Sequence, residues 1–267
     1  MSLTLLKSNF DSREDLIVYV ASLSPHIADK TVSPTIGGEK PAQIALDAIN
    51  PAQYAHSRNY LDGDVTYLSP YIRHGIVSLN DVRNHALAIS GEPKQTEKFI
   101  QELAWRDYWQ RRYRQSPDDI WHDIESYKTG FAADDYADTL PADIETGQTG
   151  VAVIDSFIND LCTTGYLHNH ARMYVAAYVV HWRRIKWQAG AKWFLHHLLD
   201  GDPASNNLSW QWVASTFANK PYFYNLENVT KYAAPGLNVA SQDNLPLAYS
   251  YDELDRILFP YREDYNG

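Results

Sequence analysis

Nowhere in its 267 residues does this chain alternate apolar and polar residues in the series of short runs a sheet needs. Spacings of three and four recur along most of its length instead. An all-α fold is the expectation. Asp11 or Ser12 is placed to cap a helix running to about Ser22, and residues 24–41 (SPHIADKTVSPTIGGEKP) are too rich in Pro, Gly and polar groups to be anything but loop. A helix is expected after Pro41, ending near Asn50, and another over 71–90. The strongest starts near Thr96 and stops at Pro117. Residues 118–150 are acidic and turn-rich. Helices then follow over 151–163, from about Leu167 to Gln188, and from Gly190 to about Asp200. DGDPASNN looks like a polar loop leading into LSWQWVAST, and the tail from 221 looks irregular. Repeats and a clear linker are missing, so one helical domain with long loops is expected.

Aromatic content sets the next limit. Eight Trp, 19 Tyr and 8 Phe make 13% of the chain. Either the core is built from large rings, or planar groups stack or pass electrons somewhere. The net charge of −10 leaves no global basic surplus to grip nucleic acid, so any such contact must be local. Cys162 is alone, which excludes an internal disulfide and a cysteine-ligated cluster and suits a reducing, cytoplasmic setting. No apolar run is long enough for a membrane span, and the first residues do not resemble a signal peptide.

Chemistry concentrates in residues 165–212, which hold five of the eight tryptophans. Asn169, Arg172 and Met173 share one helix face. Arg172 on an otherwise apolar face needs a partner, and Asp200 and Asp202 are the natural candidates. The plain alternative is a structural salt bridge. Asn206 and Asn207, followed by Trp210 and Trp212, suit a planar heterocycle with polar edges, although either amide could instead cap the helix LSWQW. His168, His170, His181, His196 and His197 lack the spacing that puts two imidazoles on one face, so no metal is expected. Glycine-rich phosphate loops and nucleophile elbows are absent from the sequence.

The stretch Gly165-Tyr166-Leu167-His168-Asn169-His170-Ala171-Arg172-Met173, then Trp187, then Asp200 through Trp212, resembles the flavin-binding region of the photolyase/cryptochrome family. Gln101-Glu102-Leu103-Ala104-Trp105-Arg106-Asp107 is similar to that family's N-E-L-x-W-R-E helix. Tyr54 with Val65-Thr66-Tyr67-Leu68-Ser69-Pro70 is similar to its phosphate loop. The resemblance covers about residues 50–225. It implies a helical FAD-binding domain over 51–267, with residues 1–50 as an extension packed on it. Thr66, Leu68 and Ser69 would hold the FAD phosphates, with Tyr54 nearby and Arg106 in support. Tyr67, Phe99, Glu102, Tyr166 and Asn169 would also contact the cofactor. Arg172 would pair with Asp200 beside the isoalloxazine, Asp202 would face the ribityl or adenine part, and Asn206 would sit at flavin N5. Trp210 and Trp187 match the first two members of an electron-transfer chain. The third has no counterpart: its position falls in 131–136, where only Phe131 and Tyr136 are aromatic, and Trp182 or a tyrosine is a candidate substitute. The family's N-terminal antenna domain has no equivalent here, so no antenna chromophore is expected.

Four residues match the pocket that receives a flipped-out cyclobutane pyrimidine dimer: Glu102, Trp105, Met173 and Trp212. Arg58 matches one phosphate-gripping arginine, while His170 and Tyr224 replace two others. The resemblance therefore implies a light-driven lyase acting on damaged single- or double-stranded DNA, with Glu102, Met173, Trp187, Asn206 and Trp210 as its working residues. The alternative is a cryptochrome-like photoreceptor or redox flavoprotein without repair.

Overall fold

Ser12 caps the first helix as expected, its hydroxyl accepting from the amide of Asp15, and α1 runs Arg13–Leu23. The computed structural model describes residues 5–24, 32–90 and 92–262. Two compact units divide the chain, Met1–Thr35 and Ile36–Gly267. In the second unit α2 (Glu39–Asp47) buries Ala42 and Leu46, with Ile49 behind them, in one apolar cluster with Leu68, Val82 and Phe99. Those residues belong to the core of the second unit.

Within that unit α3 spans Pro51–Ser57, α4 Ser69–Arg73 and α5 Leu79–Ile89, the last started by a reciprocal cap between Ser78 and Asp81. The long α6 (Pro93–Gln115) opens on a proline at its first position, where the missing N–H costs nothing. α7 (Ala142–Glu145) and α8 (Ala152–Thr164) follow, and Gly165 closes α8 in the left-handed conformation. Next come α9 (Asn169–Ala177), α10 (Trp187–His197), α11 (Pro203–Ala214), α12 (Leu226–Tyr232) and α13 (Tyr251–Leu258). Among the described residues extended pairing is limited to an isolated bridge between Ala137 and Ile185. The larger core is built on α8–α11; α6 packs on α3, α5 and α11, and α11 on α9 and α10.

Several expectations need correction, among them the helix read over 71–90, which is split into α4 and α5. The helix read from Leu167 to Gln188 is broken: α9 passes into one wide π turn at Tyr178–Trp182, and Arg184 adopts a positive φ of 51°. Backbone bonds from Ala137 to Arg184 and from Lys186 to Ala137 hold the break open. Gly190 does not open a helix but lies inside α10, against the Trp210 ring; a Cβ there would come within 2.3 Å of Trp210 Cη2. The loop DGDPASNN is mostly helix. Asp202, not Asn206 or Asn207, caps α11, its carboxylate accepting from the amide and hydroxyl of Ser205, and Pro203 takes the first position. The tail is also more regular than expected, since α12 and α13 both lie beyond residue 221.

Candidate cofactor and substrate site

A cavity of about 610 Å³ opens between α6, α9, the end of α10 and α11. This is within the range of ordinary small-molecule sites. From α6 it is lined by Glu102, Trp105, Arg106 and Trp109; from α9 by Asn169, Arg172 and Met173; from the turn after α10 by Asp200 and Asp202; from α11 by Asn206, Trp210 and Trp212. Arg58 closes one side. Helical spacing explains the grouping. Glu102, Trp105, Arg106 and Trp109 recur at intervals of three and four, as do Ser205, Asn206, Ser209 and Trp212 once PASNN is recognised as helix.

Asp200 is buried and both its oxygens accept from Arg172 Nη2, at 3.0 and 2.8 Å, while Arg172 Nε donates to Leu167 O at 2.8 Å. Burial pushes the Asp200 carboxyl up; Arg172, Ser69 and Arg106 more than offset this and leave it below its usual value. Arg106 makes no ion pair or hydrogen bond among the described residues, although it faces the charges of Asp202 and Asp200. Burial pulls its pKa down.

Asn206 Nδ2 donates to Ala191 O at 3.0 Å and to Asn207 Oδ1 at 2.9 Å. Both amide hydrogens are thus used on the protein, and the side chain offers a ligand only its oxygen. Asn207, fully buried, is fixed in turn by donating to Ile120 O at 2.6 Å. It is a positioning residue. Asp202 is more committed than the sequence suggests. Besides capping α11, it accepts from Gln110 at 2.6 Å. Glu102 Oε1 meets Lys98 at 2.7 Å and Arg58 at 3.5 Å, and Oε2 makes no hydrogen bond among the described residues. Trp210 Nε1 is buried with no hydrogen-bond partner among the described residues.

The remaining expected residues lie behind the cavity wall. Leu68 and Phe99 are buried in the smaller cluster, with the Tyr54 ring edge-on to Phe99 at 5.1 Å. Burial and the nearby Glu102 charge raise the Tyr54 hydroxyl to about 12. Thr66 accepts from the amide of Leu68, and Tyr67, with a positive φ of 51°, sets its ring against Tyr166 at 5.0 Å. This loop is tied to the cavity floor. Arg73 donates to Gly201 O at 2.6 Å, His74 to Leu199 O at 3.0 Å, and Ser69 reaches the Asp200 carboxylate. Trp187 is fully buried and donates to Asp123 at 2.6 Å. Of the rings near the expected third position, Tyr136 is buried and stacks on Tyr127 at 4.4 Å, Phe131 lies under Arg184, and Trp182 contacts Tyr178 and Tyr224. Among the described residues there is no group of three or more metal-ligating side chains, and no helix is long and apolar enough to cross a membrane.

The sequence reading gives no site role to Trp109, Gly190 or Gln110, and takes Asn207 for a ligand-facing amide or a helix cap, where it instead positions Asn206. Trp109 was detectable four residues after Trp105. Gly190 and Gln110 act across elements, and spacing carries no sign of them.

This wall fits a flavin. It supplies a lone amide oxygen, an unpaired guanidinium, a neutralised buried carboxylate and flat apolar rings. A family model described as the FAD binding domain of DNA photolyase matches residues 99–236. The deoxyribodipyrimidine photo-lyase of Streptomyces griseus is 36% identical over 201 residues, 74% of this chain and 42% of its own length. That of Alkalihalophilus pseudofirmus is 34% identical over 61% of this chain and 34% of its own. This chain thus spans less than half the length of these curated relatives. The photolyase of Sulfolobus tokodaii, solved with two FAD molecules, superposes with a TM-score of 0.62 at 27% identity, over 76% of this chain and 46% of its own. A Synechocystis cryptochrome shares the fold, with a TM-score of 0.66 at 21% identity, over 88% of this chain and 50% of its own. The chain therefore belongs to the family of the FAD-binding domain of DNA photolyases, with FAD as its cofactor.

Proposed function

We propose that this protein splits cyclobutane pyrimidine dimers in DNA under light. One observation carries the reading. The residues expected around the flavin (Arg106, Asn169, Arg172, Asp200, Asp202, Asn206, Trp210) and those expected around the dimer (Arg58, Glu102, Trp105, Met173, Trp212) line one cavity. The names of the relatives, deoxyribodipyrimidine photo-lyases, support it. When bound, FAD supplies light-driven one-electron donation. Opening the cyclobutane ring breaks two C–C bonds and leaves two C=C bonds, so the reaction is redox-neutral overall.

The chain's own part is to hold and to exclude water. Asn206 offers an acceptor oxygen at the flavin edge, held by Ala191 and Asn207. Arg172 neutralises Asp200, so that buried carboxylate presents no uncompensated charge to the site. Trp105, Trp212 and Met173 give the dimer apolar walls, and Glu102 Oε2 accepts from a pyrimidine N–H. The loop Thr66–Ser69, tied to Asp200 through Ser69, would hold the flavin's anionic part.

The test is illumination of FAD-loaded, reduced protein on dimer-containing single- and double-stranded oligonucleotides. Light-dependent loss of dimers is expected. A full flavin complement with no dimer loss on either substrate would refute repair and leave a flavoprotein without it.

A further inference from the structure

We infer that the ring-bearing edge of α6 at the cavity mouth is a stacking ledge for the bases of a single DNA strand, and that the protein takes single-stranded DNA in preference to duplex. The inference rests on the reading that the cavity receives DNA, and extends it to the strand around the lesion.

The rings come first. Trp105, Tyr108 and Trp109 stand at i, i+3 and i+4 on α6, and Trp105 and Tyr108 are 52% and 44% exposed. Trp105 and Trp109 stack at 5.4 Å with planes 26° apart. Tyr108 abuts both, at 5.8 and 5.0 Å, and Trp109 continues to Phe217 at 5.8 Å. The result is a contiguous row of rings leading from the cavity mouth, since Trp105 and Trp109 also line the cavity. Exposed aromatic surface of this extent marks a binding face rather than scattered surface residues. Every base has a π face to lay on such rings, but only if it is not already stacked within a duplex.

The charges exclude the other mode of DNA binding. Duplex affinity rests on neutralised phosphates. Here most cations beside the ledge are already engaged: Arg58 and Lys98 with Glu102, Arg111 with Asp107, Arg112 with Asp119, while Arg106 faces Asp200 and Asp202 within the cavity. Arg114 is exposed and forms no ion pair among the described residues. At His170, burial and Arg58 lower the pKa and favour a neutral ring, and Tyr224 is fully buried, so neither grips a phosphate. Contact with about one or two phosphates predicts a log–log salt slope of only about −1.

The experiment is fluorescence anisotropy of a labelled, undamaged oligodeoxythymidylate of about ten nucleotides, against a duplex of the same length, across a salt series. Wild type, Tyr108→Ala and Tyr108→Phe are compared; Tyr108 lies outside the cavity wall and is half-exposed, so all three should fold and keep FAD. Expected are tighter single-strand than duplex binding, a shallow salt slope, a loss of about tenfold or more in Tyr108→Ala, and retention in Tyr108→Phe. Duplex binding as tight as single-strand binding, a steep slope of about −5, or an unchanged Tyr108→Ala would each overturn the ledge. The probe carries no lesion and needs no light, so the outcomes separate. Strand binding without dimer splitting sinks repair alone, and dimer splitting without strand preference sinks the ledge alone.

Discussion

Asp200 illustrates what a single buried charge demands. Its side chain is 4% exposed, and one nitrogen of Arg172 serves both its oxygens. Arg172→Ala would leave a carboxylate in the core with only Ser69 and the more distant Arg106 to answer it. A buried pair broken from one side costs about 3–5 kcal/mol, and those two partners place the expectation near 3. Urea unfolding of the FAD-free protein measures it; a loss below about 1 kcal/mol would mean that water reaches the carboxylate. Adding Asp200→Asn to that variant should recover part of the loss, because the uncompensated charge is then gone. Asn206 makes a complementary case. Asn206→Asp turns two donated hydrogen bonds into oxygen facing oxygen at Ala191 and Asn207. The expected cost is about 1–3 kcal/mol, with weaker retention of FAD, read from melting and from bound-flavin absorbance.

At the scale of elements, the α10–α11 contact depends on a missing side chain. The Trp210 ring occupies the space beside Gly190 and is closed from another side by Phe194 at 4.9 Å. Gly190→Ala would gain up to about 1 kcal/mol of helix propensity. It would also place a methyl 2.3 Å from an indole that has nowhere to retreat. Overpacking of that kind costs about 1–3 kcal/mol, so a net loss is expected, with a shifted tryptophan fluorescence and looser FAD because Asn206 shares α11. A more stable variant would show that the ring is not seated there. This contact also marks the limit of what could be read from the sequence. The helical class, α6, α8 and the cap at Ser12 follow from period and capping residues alone. The π turn at Tyr178–Trp182 and the glycine inside α10 are dictated by partners distant in the chain, Ala137 and Trp210. Asp202-Pro203 carried a legible helix start, but the polar residues after it resembled a loop. The site was legible where its residues share a helix face. It was not where a residue such as Gln110 only holds another in place.

Taken whole, the molecule places two poorly hydrated imidazoles where protonation has no outlet. His181 is buried, donates to Val213 O on α11 at 3.0 Å, and is lowered by burial from its ordinary 6.5 to about 3. His168, at the start of α9, is lowered to about 4 by burial and by the charges of His170 and Arg172. A histidine whose folded value is depressed binds its proton more readily in the unfolded chain. Its stabilising effect is therefore complete above the ordinary value and is lost as pH falls toward the folded value. Asp200 works in the same direction at lower pH, being held below its ordinary 3.8. The thermal midpoint should accordingly fall as pH drops from about 6.5 to about 4, a window in which the histidines act before the carboxylate. His181→Gln keeps an N–H donor for Val213 O but cannot titrate. Its midpoint should start lower, because the packing is imperfect, and then decline less steeply through that window than the wild type. Parallel curves for the two proteins would assign the acid sensitivity elsewhere. A flatter curve in the variant would locate it in the contact that joins the π turn to α11, the helix that carries Asn206 and Trp210.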